Sequence, residues 1–196
     1  MRSFQRGFIR AGVKMIYSEG FNPHQKMNFA QPLGVGVTSS GEYMDVEIAP
    51  GQDLTQVKDL LQVQMGEGFN ILGITDLADN APKAMAAVKY ASYRVTVTGP
   101  CPDIEEFLKA DEVLMMKKTK SGNKSVNIRP LVHMLTRTDN MYEMLVNAGG
   151  ENNLKPELLM RALFELEGTE YDRSMLSIKR LELLSEGFVP LDRKGD

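Results

Sequence analysis

The hydrophobic positions in the first half of the chain predict short helices and strands. Apolar residues three or four positions apart predict a helix at the N-terminus and another over residues 54–61. Alternating apolar and polar residues predict a strand over residues 42–48, and the short apolar runs at 27–29 and 69–75 are typical of strands. The predicted order of the first half is therefore α-β-β-α-β.

The second half of the chain repeats this kind of pattern with one more strand. Pro156 favours the first turn of a helix, and a shorter helix is predicted just after Cys101. The alternation of the last strand slips near Arg180, which indicates a β-bulge. The predicted strands are residues 93–98, 112–118, 124–128, 141–147 and 175–184, the second and third forming a hairpin around Ser121-Gly122-Asn123. The order is β-α-β-β-α-β with an extra extended segment.

Two tandem ferredoxin-like units of an α+β protein account for both halves. The first unit takes residues 1–78 and the second residues 88–186, with turn-forming residues between them and a loose tail over 187–196. Because the chain opens directly on a helix that has no room for an N-cap, we expect the first unit to lack its N-terminal strand.

Composition narrows the class of protein. The chain is 42% hydrophobic and 25% charged, which is ordinary for a globular protein. No apolar run approaches the roughly 20 residues that cross a bilayer, so no membrane association is predicted. A single cysteine, Cys101, excludes an intrachain disulfide and a cysteine-based metal or iron–sulfur site within one chain. We therefore expect a cytoplasmic protein without a bound metal or cofactor.

Positive charge is concentrated in two blocks of an acidic chain. The net charge is −3, yet residues 1–30 carry five cations against Glu19 alone, and residues 113–138 carry six cations and no acid. Such blocks are typical of an anion-binding face, but two solvated surfaces that never meet explain them equally well. The candidate anion-binding residues of the second block are Lys117, Lys118 and Arg129.

The segment after the first helix, YSEGFNPHQK at residues 17–26, is the strongest candidate for a functional loop. Gly20 permits a positive φ, and Pro23 fixes its own φ and keeps the preceding residue extended, so the loop is predicted to be stiff. His24 could act as a general base or donate to a phosphate; the alternative is a structural turn in which it caps backbone groups. The candidate anion-binding residues of this region are Arg6, Arg10, Asn22 and Lys26.

Three segments of the chain resemble the radical SAM-linked (radical SAM-associated) protein family. They are residues 17–26, PLGVGV at 32–37 and SGEYMDV at 40–46, and Arg6 and Arg10 match the family pattern as well. The resemblance implies a protein encoded next to, or fused behind, a radical S-adenosylmethionine enzyme, and hence a partner of that enzyme. Family members usually begin with a strand and a Ser-His-Leu-Asp-like turn, so the resemblance also implies that this strand and its His are absent here.

These observations lead to three hypotheses. The first is a non-catalytic accessory protein that helps a radical SAM enzyme engage its substrate, which we expect to be RNA. The second is a metal-independent ribonuclease or transferase that uses His24 as base and Lys26 or Arg10 for the developing phosphate charge. The third is a protein-interaction module whose open sheet edge pairs with a partner or with a second copy in a homo-oligomer.

Overall fold

The structure is a computed structural model that describes residues 1–119, 122–150 and 152–192, apart from the side chains of residues 118 and 119. It confirms the α+β class. In chain order the helices and strands are α1 (Arg2–Arg10), β1 (Met27–Phe29), β2 (Val37–Ser39), β3 (Met44–Val46), α2 (Leu54–Gln64), α3 (Ala84–Ala87), β4 (Tyr90–Val97), α4 (Glu105–Lys109), β5 (Leu114–Thr119), β6 (Gly122–Asn127), β7 (Val132–Thr138), β8 (Met141–Asn147), α5 (Pro156–Leu166) and β9 (Leu176–Leu184). In the described part of the chain, every helix is too short or too polar to cross a membrane.

The chain divides into two compact units. Unit 1 is Met1–Phe29 together with Met44–Lys83, and unit 2 is Ala30–Tyr43 together with the chain from Ala84 onward. The sequence pattern placed residues 30–43 in the first unit. They contribute to the second unit because β2 pairs in parallel with β9. The switch at residues 83–84 lies inside the predicted linker.

Unit 1 packs α1 and α2 against a two-stranded antiparallel sheet of β1 and β3. Asp53 caps α2 by accepting hydrogen bonds from the backbone N–H groups of Thr55 and Gln56, and this cap sets where the helix begins. Gly7 lets α1 approach α2, since a Cβ there would lie 3.0 Å from the Met65 sulfur. The buried core of the unit is Phe8, Ala11, Val13, Met27, Val57 and Leu61.

The strand predicted over residues 69–75 was wrong. Leu72 is 78% exposed, so the apolar run is not buried, and no described residue of this segment pairs in a sheet. The Gln62 side chain instead satisfies its backbone, donating to the Phe69 carbonyl at 2.9 Å and accepting from the Ile71 N–H at 2.7 Å. A side chain seven residues upstream thus replaces the hydrogen bonds of a neighbouring strand.

Unit 2 is built on a five-stranded sheet in the order β2-β9-β4-β8-β7. The elements β4, α4, β7, β8, α5 and β9 follow the order β-α-β-β-α-β of a ferredoxin-like unit, and all pairs among their strands are antiparallel. The predicted hairpin is confirmed as β5–β6, although residues 120 and 121 of its turn lie outside the described residues. Helix α5 begins at Pro156, as predicted, and buries Leu159, Leu163 and Phe164.

The predicted bulge near Arg180 is confirmed. Ser92 of β4 lies opposite Glu182 and the next residue, Tyr93, lies opposite Arg180, so Leu181 is the extra residue of β9. Arg180 lies on the same buried face of β9 as Leu176 and Ile178 and is 2% exposed; the bulge follows it at Leu181. Farther along, Ser185 and Val189 close a hydrogen-bonded turn that reaches into the predicted tail, and residues 193–196 lie outside the described part.

Candidate functional site

The loop of residues 17–26 is closed at its base by Ser18 and His24. The Ser18 N–H donates to the His24 carbonyl at 2.8 Å, and the His24 N–H donates to Ser18 Oγ at 3.1 Å. The same hydroxyl lies 2.9 Å from Nδ1 of the His24 ring. Gly20 has a φ of 113° at the tip, a conformation that a side chain would strain. These bonds brace the loop, and they hold one nitrogen of the His24 ring.

A buried amide anchors this loop to helix α1. Gln25 is 4% exposed and its Nε2 donates to the Gln5 carbonyl at 3.2 Å. The loop exposes two aromatic rings: Phe21 near its tip is 107% exposed, and Tyr17 at its base, opposite Gln25, is about half exposed. Sequence reasoning missed Phe21 as a functional candidate. Its signal was an aromatic residue placed inside a glycine- and proline-containing turn, where no core is available to bury it.

A shallow cleft of about 280 Å³ opens beside the loop, entirely within unit 1. His24, Lys26, Glu47 and Lys83 lie along it. Lys26 pairs with Glu47 at 3.0 Å, and both side chains are exposed, so the pair contributes little stability. Lys83 is a second cation along the cleft. The sequence pattern placed Lys83 in the linker between the two units and did not predict it as a site residue. The cleft therefore carries one excess positive charge, and His24, three positions after Phe21 in the loop, is one of its lining residues.

The two arginines predicted from helix α1 have different surroundings. Arg6 is exposed and directly follows Gln5, the residue to which the loop is anchored. Arg10 donates from Nη2 to the Gln64 carbonyl at 2.9 Å, at the C-terminal end of α2 where a cation is favourable. Arg10 thus has a structural partner in unit 1. Asn22 is exposed at the loop tip.

The predicted cations of the second basic block lie in unit 2 and do not form one cluster. Lys117 is half-buried and donates to the Asn153 carbonyl at 2.9 Å. Arg129 donates to the Leu108 carbonyl at 3.3 Å, and its guanidinium lies 5.5 Å from the centre of the Phe107 ring. The strand register places these residues toward opposite ends of the β5–β6 hairpin. The Lys118 side chain lies outside the described residues.

Sequence reasoning missed a buried charged network in unit 2. Arg180 donates from Nη1 to both Glu42 carboxylate oxygens at 2.9 Å and from Nε to the Tyr93 hydroxyl at 3.3 Å. Burial raises the pKa of Glu42, although the Ser39 hydroxyl and Arg180 partly offset this effect. Burial likewise raises the pKa of Tyr93. The sequence did contain a signal for this network: Arg180 is a charged residue at an inward position of the last predicted strand, where the alternation of apolar and polar residues slips.

The first residues of the SGEYMDV segment at 40–46 pack against strand β9, beside the Arg180 network. The Ser40 N–H donates to the Arg180 carbonyl at 3.0 Å, which places the segment directly against strand β9. A Cβ on Gly41 would lie 2.6 Å from the Leu181 carbonyl oxygen, so only glycine fits at this contact. Glu42 follows and pairs with Arg180. This part of the motif therefore holds residues 30–43 on the sheet of unit 2.

The described residues contain no cluster of side chains that could bind a metal ion. Within that part of the chain, no group of three or more His, Cys, Asp or Glu side chains is arranged to hold a metal ion. Cys101 is partly buried, and its sulfur lies 3.4 Å from the Gly99 carbonyl oxygen.

Comparison with known families identifies a match that covers most of the chain. Residues 1–156 match the profile of a family described as "Uncharacterized protein conserved in bacteria (DUF2344)". The matched region contains the loop at 17–26, its cleft and the motif at 40–46, and it ends at the first residue of α5. No curated protein matches the chain.

Proposed function

The chain belongs to this family of uncharacterized bacterial proteins, and from that premise we propose that it is a non-catalytic accessory protein that binds RNA for a radical SAM enzyme. The proposed RNA contact is the loop at residues 17–26 with the cleft beside it. The enzyme part of the proposal is supported by the resemblance of residues 17–26, 32–37 and 40–46 to the radical SAM-linked family. The RNA part is supported by the geometry of the loop.

The exposed ring of Phe21 is the observation that carries the RNA part. A phenylalanine side chain left in water forgoes about 1.5–3 kcal/mol of burial free energy, so its place at the tip of a braced loop indicates that a partner covers it. Stacking of an unpaired base on an aromatic ring contributes about 1–3 kcal/mol. Because Ser18 and His24 already hold the loop, binding orders little additional backbone.

The charges near the loop suit a phosphate backbone that follows the stacked base. Lys26 and Lys83 lie along the cleft, and Arg6 is exposed one residue beyond the loop anchor. His24 lies along the same cleft and can donate a hydrogen bond from its ring. Glu47 offsets one of these cations, so we expect two or three phosphate contacts and moderate affinity.

Fluorescence polarisation of a labelled single-stranded RNA, titrated with the full chain across a salt series, separates the two contributions. Phe21→Ala should weaken binding about tenfold or more and leave the salt slope unchanged, because a ring carries no charge. Lys83→Gln should make the slope shallower by about 0.7, the value for one lost phosphate contact on a single strand.

Matched controls lie in unit 2. Val35→Ala removes an equally exposed apolar side chain, and Lys179→Gln removes an exposed lysine of strand β9; neither should change RNA affinity or slope. RNA binding that is absent at low salt, or that is the same in wild type and Phe21→Ala, would refute the proposed contact.

The second candidate is a metal-independent ribonuclease, favoured by the place of His24 next to Lys26 and Lys83. When Nδ1 carries the proton and donates to Ser18 Oγ, Nε2 is unprotonated and can act as a base. This candidate predicts RNA cleavage in EDTA that His24→Ala abolishes and Lys179→Gln preserves. RNA ends that stay unchanged while binding persists would support the non-catalytic function.

The partner enzyme is tested separately. The family resemblance implies that a radical SAM enzyme is encoded beside the gene for this chain. We expect such an enzyme to convert more RNA substrate when the full chain is added, and Phe21→Ala to reduce that gain. Equal conversion with and without the chain would remove the enzyme from the proposal and leave RNA binding to be judged by the polarisation titration.

A further inference from the structure

We propose that unit 2 contains a second binding site, a cleft that takes a small organic anion with an apolar part. The cleft has a volume of about 580 Å³, within the usual range for small-molecule sites, and all of its lining residues belong to unit 2. It lies between the segment of residues 30–37 and the residues that lead into α5. The proposal does not depend on RNA binding, since the loop at residues 17–26 belongs to unit 1.

Two side chains that line the cleft, Arg180 and Tyr93, each keep one hydrogen that has no acceptor of its own among the described residues. An arginine has five N–H donors. In Arg180, Nη2 has two hydrogens and a single acceptor among the described residues, the Pro32 carbonyl at 3.1 Å. Tyr93 also lies at this floor, and its hydroxyl accepts from Arg180 Nε, so its own proton has no acceptor within the described part of the chain. The Tyr93 hydroxyl and Arg180 Nη2, both nearly buried, can therefore each donate a hydrogen bond to an oxygen atom of a ligand.

The charge around the cleft favours an anion over a neutral oxygen. Glu42 neutralises Arg180, and Glu157 lies 3.6 Å from Arg173. Lys155 is exposed at the cleft and has no ion pair among the described residues, which leaves one positive charge in excess. Because the Tyr93 and Arg180 donors lie at the floor, a carboxylate or phosphate group there would receive directed hydrogen bonds as well as Coulombic attraction.

The walls of the cleft suit an apolar group on the same ligand. Leu33 and Val35 project from the segment at residues 30–37, and Val35 is 102% exposed. The base of this segment is fixed by Gln31, whose Nε2 donates to Asn153 Oδ1 at 2.9 Å and whose Oε1 accepts from the Gly149 N–H at 3.0 Å. The polar floor and the apolar walls together suit a small ligand that has both an anionic group and an apolar group.

Hexanoate, hexyl phosphate and hexan-1-ol test this assignment in a phosphate-free buffer. Chemical shifts of methyl-labelled Leu, Val and Met residues in the full chain report binding and locate it at Leu33 and Val35. We expect saturable binding of at least one anion with a Kd of about 1 mM, usual for a ligand of this size, and at least tenfold weaker binding of the alcohol. Tighter hexanoate identifies a carboxylate ligand, and tighter hexyl phosphate identifies a phosphate ligand.

Tyr93→Phe removes only the floor hydroxyl and keeps the ring and the Arg180–Glu42 pair. It should weaken binding of the anion about tenfold, whereas Lys179→Gln, a lysine of β9 that is not among the lining residues, should leave it unchanged. The proposal is overturned if the alcohol binds as tightly as both anions, if Tyr93→Phe binds them as wild type does, or if the shifts occur away from Leu33 and Val35.

Discussion

Replacing Gly41 by alanine tests how residues 30–43 are held in unit 2. The added Cβ would lie 2.6 Å from the Leu181 carbonyl oxygen, closer than real Cβ contacts, and 3.0 Å from the Glu182 Cα, tighter than most of them. These atoms belong to the backbone of strand β9 and cannot rotate away. The segment must therefore move off the strand by several tenths of an ångström, against the hydrogen bond between the Ser40 N–H and the Arg180 carbonyl at 3.0 Å.

The size of the effect follows from three contributions. Overpacking costs about 1–3 kcal/mol, and weakening one backbone hydrogen bond costs about 1 kcal/mol more. Alanine recovers about 0.4–1 kcal/mol by restricting the unfolded chain. We expect the free energy of unfolding to fall by about 2–3 kcal/mol, which lowers the melting midpoint by about 6–12 °C for a unit of this size.

Near-UV circular dichroism of the tyrosines is the suitable assay. The chain has six tyrosines and no tryptophan, and all except Tyr17 lie in unit 2, so the signal reports on that unit. Gly34→Ala is the matched control within unit 2, because a Cβ at Gly34 would meet only the Val37 Cγ2, at 3.4 Å, an ordinary van der Waals distance. A Gly41→Ala midpoint within 2 °C of the Gly34→Ala midpoint, about what less than 1 kcal/mol would produce, would show that the contact with β9 does not hold the segment.

The Arg180 network and the buried hydroxyl of Tyr142 give further predictions. Burial keeps the native pKa of Glu42 above its ordinary value of 4.5, so just above pH 4.5 the native state binds more protons than the unfolded state. The contribution of Glu42 to the free energy of unfolding therefore falls as pH rises through this window. Glu42→Gln should abolish that dependence, as urea unfolding at several pH values would show. Arg180→Met leaves the Glu42 carboxylate unpaired and should destabilise unit 2 by about 3 kcal/mol in the same assay. Arg94→Met, which breaks the exposed pair with Glu143, should cost less than about 1 kcal/mol. Equal losses would show that the burial of the Arg180–Glu42 pair does not set its contribution to stability. Tyr142→Phe removes a buried hydrogen bond of 2.6 Å to the Pro102 carbonyl and should cost about 1 kcal/mol by thermal unfolding, whereas an unchanged midpoint would show that this bond contributes nothing.

Local periodicity predicted most of the second unit correctly. Strands β4, β8 and β9 are long enough for their alternation to stand out, and Pro156 marks the start of α5 because its fixed φ suits a first helical turn. The segment at residues 69–75 shows the limit of this reasoning. An apolar run cannot reveal that the side chain of Gln62 will take the place of a neighbouring strand.

The candidate site was predictable only in part for a related reason. The stiffness of the loop follows from Gly20 and Pro23, which act on their immediate neighbours. The place of Lys83 along the same cleft as His24 depends on the folding of unit 1, because 59 positions separate them in the chain. The pairing of Arg180 with Glu42 spans 138 positions and depends on β2 joining the sheet of unit 2.

Photocrosslinking tests the central claim most directly. A single-stranded RNA that carries 5-iodouridine would be irradiated with the full chain, digested with trypsin and analysed by mass spectrometry, since iodouridine reacts with an aromatic ring on which it stacks. We expect a crosslink on Phe21, in the tryptic peptide of residues 15–26, and its loss in Phe21→Leu. Crosslinks confined to peptides of unit 2, with the peptide of residues 15–26 recovered unmodified, would contradict it.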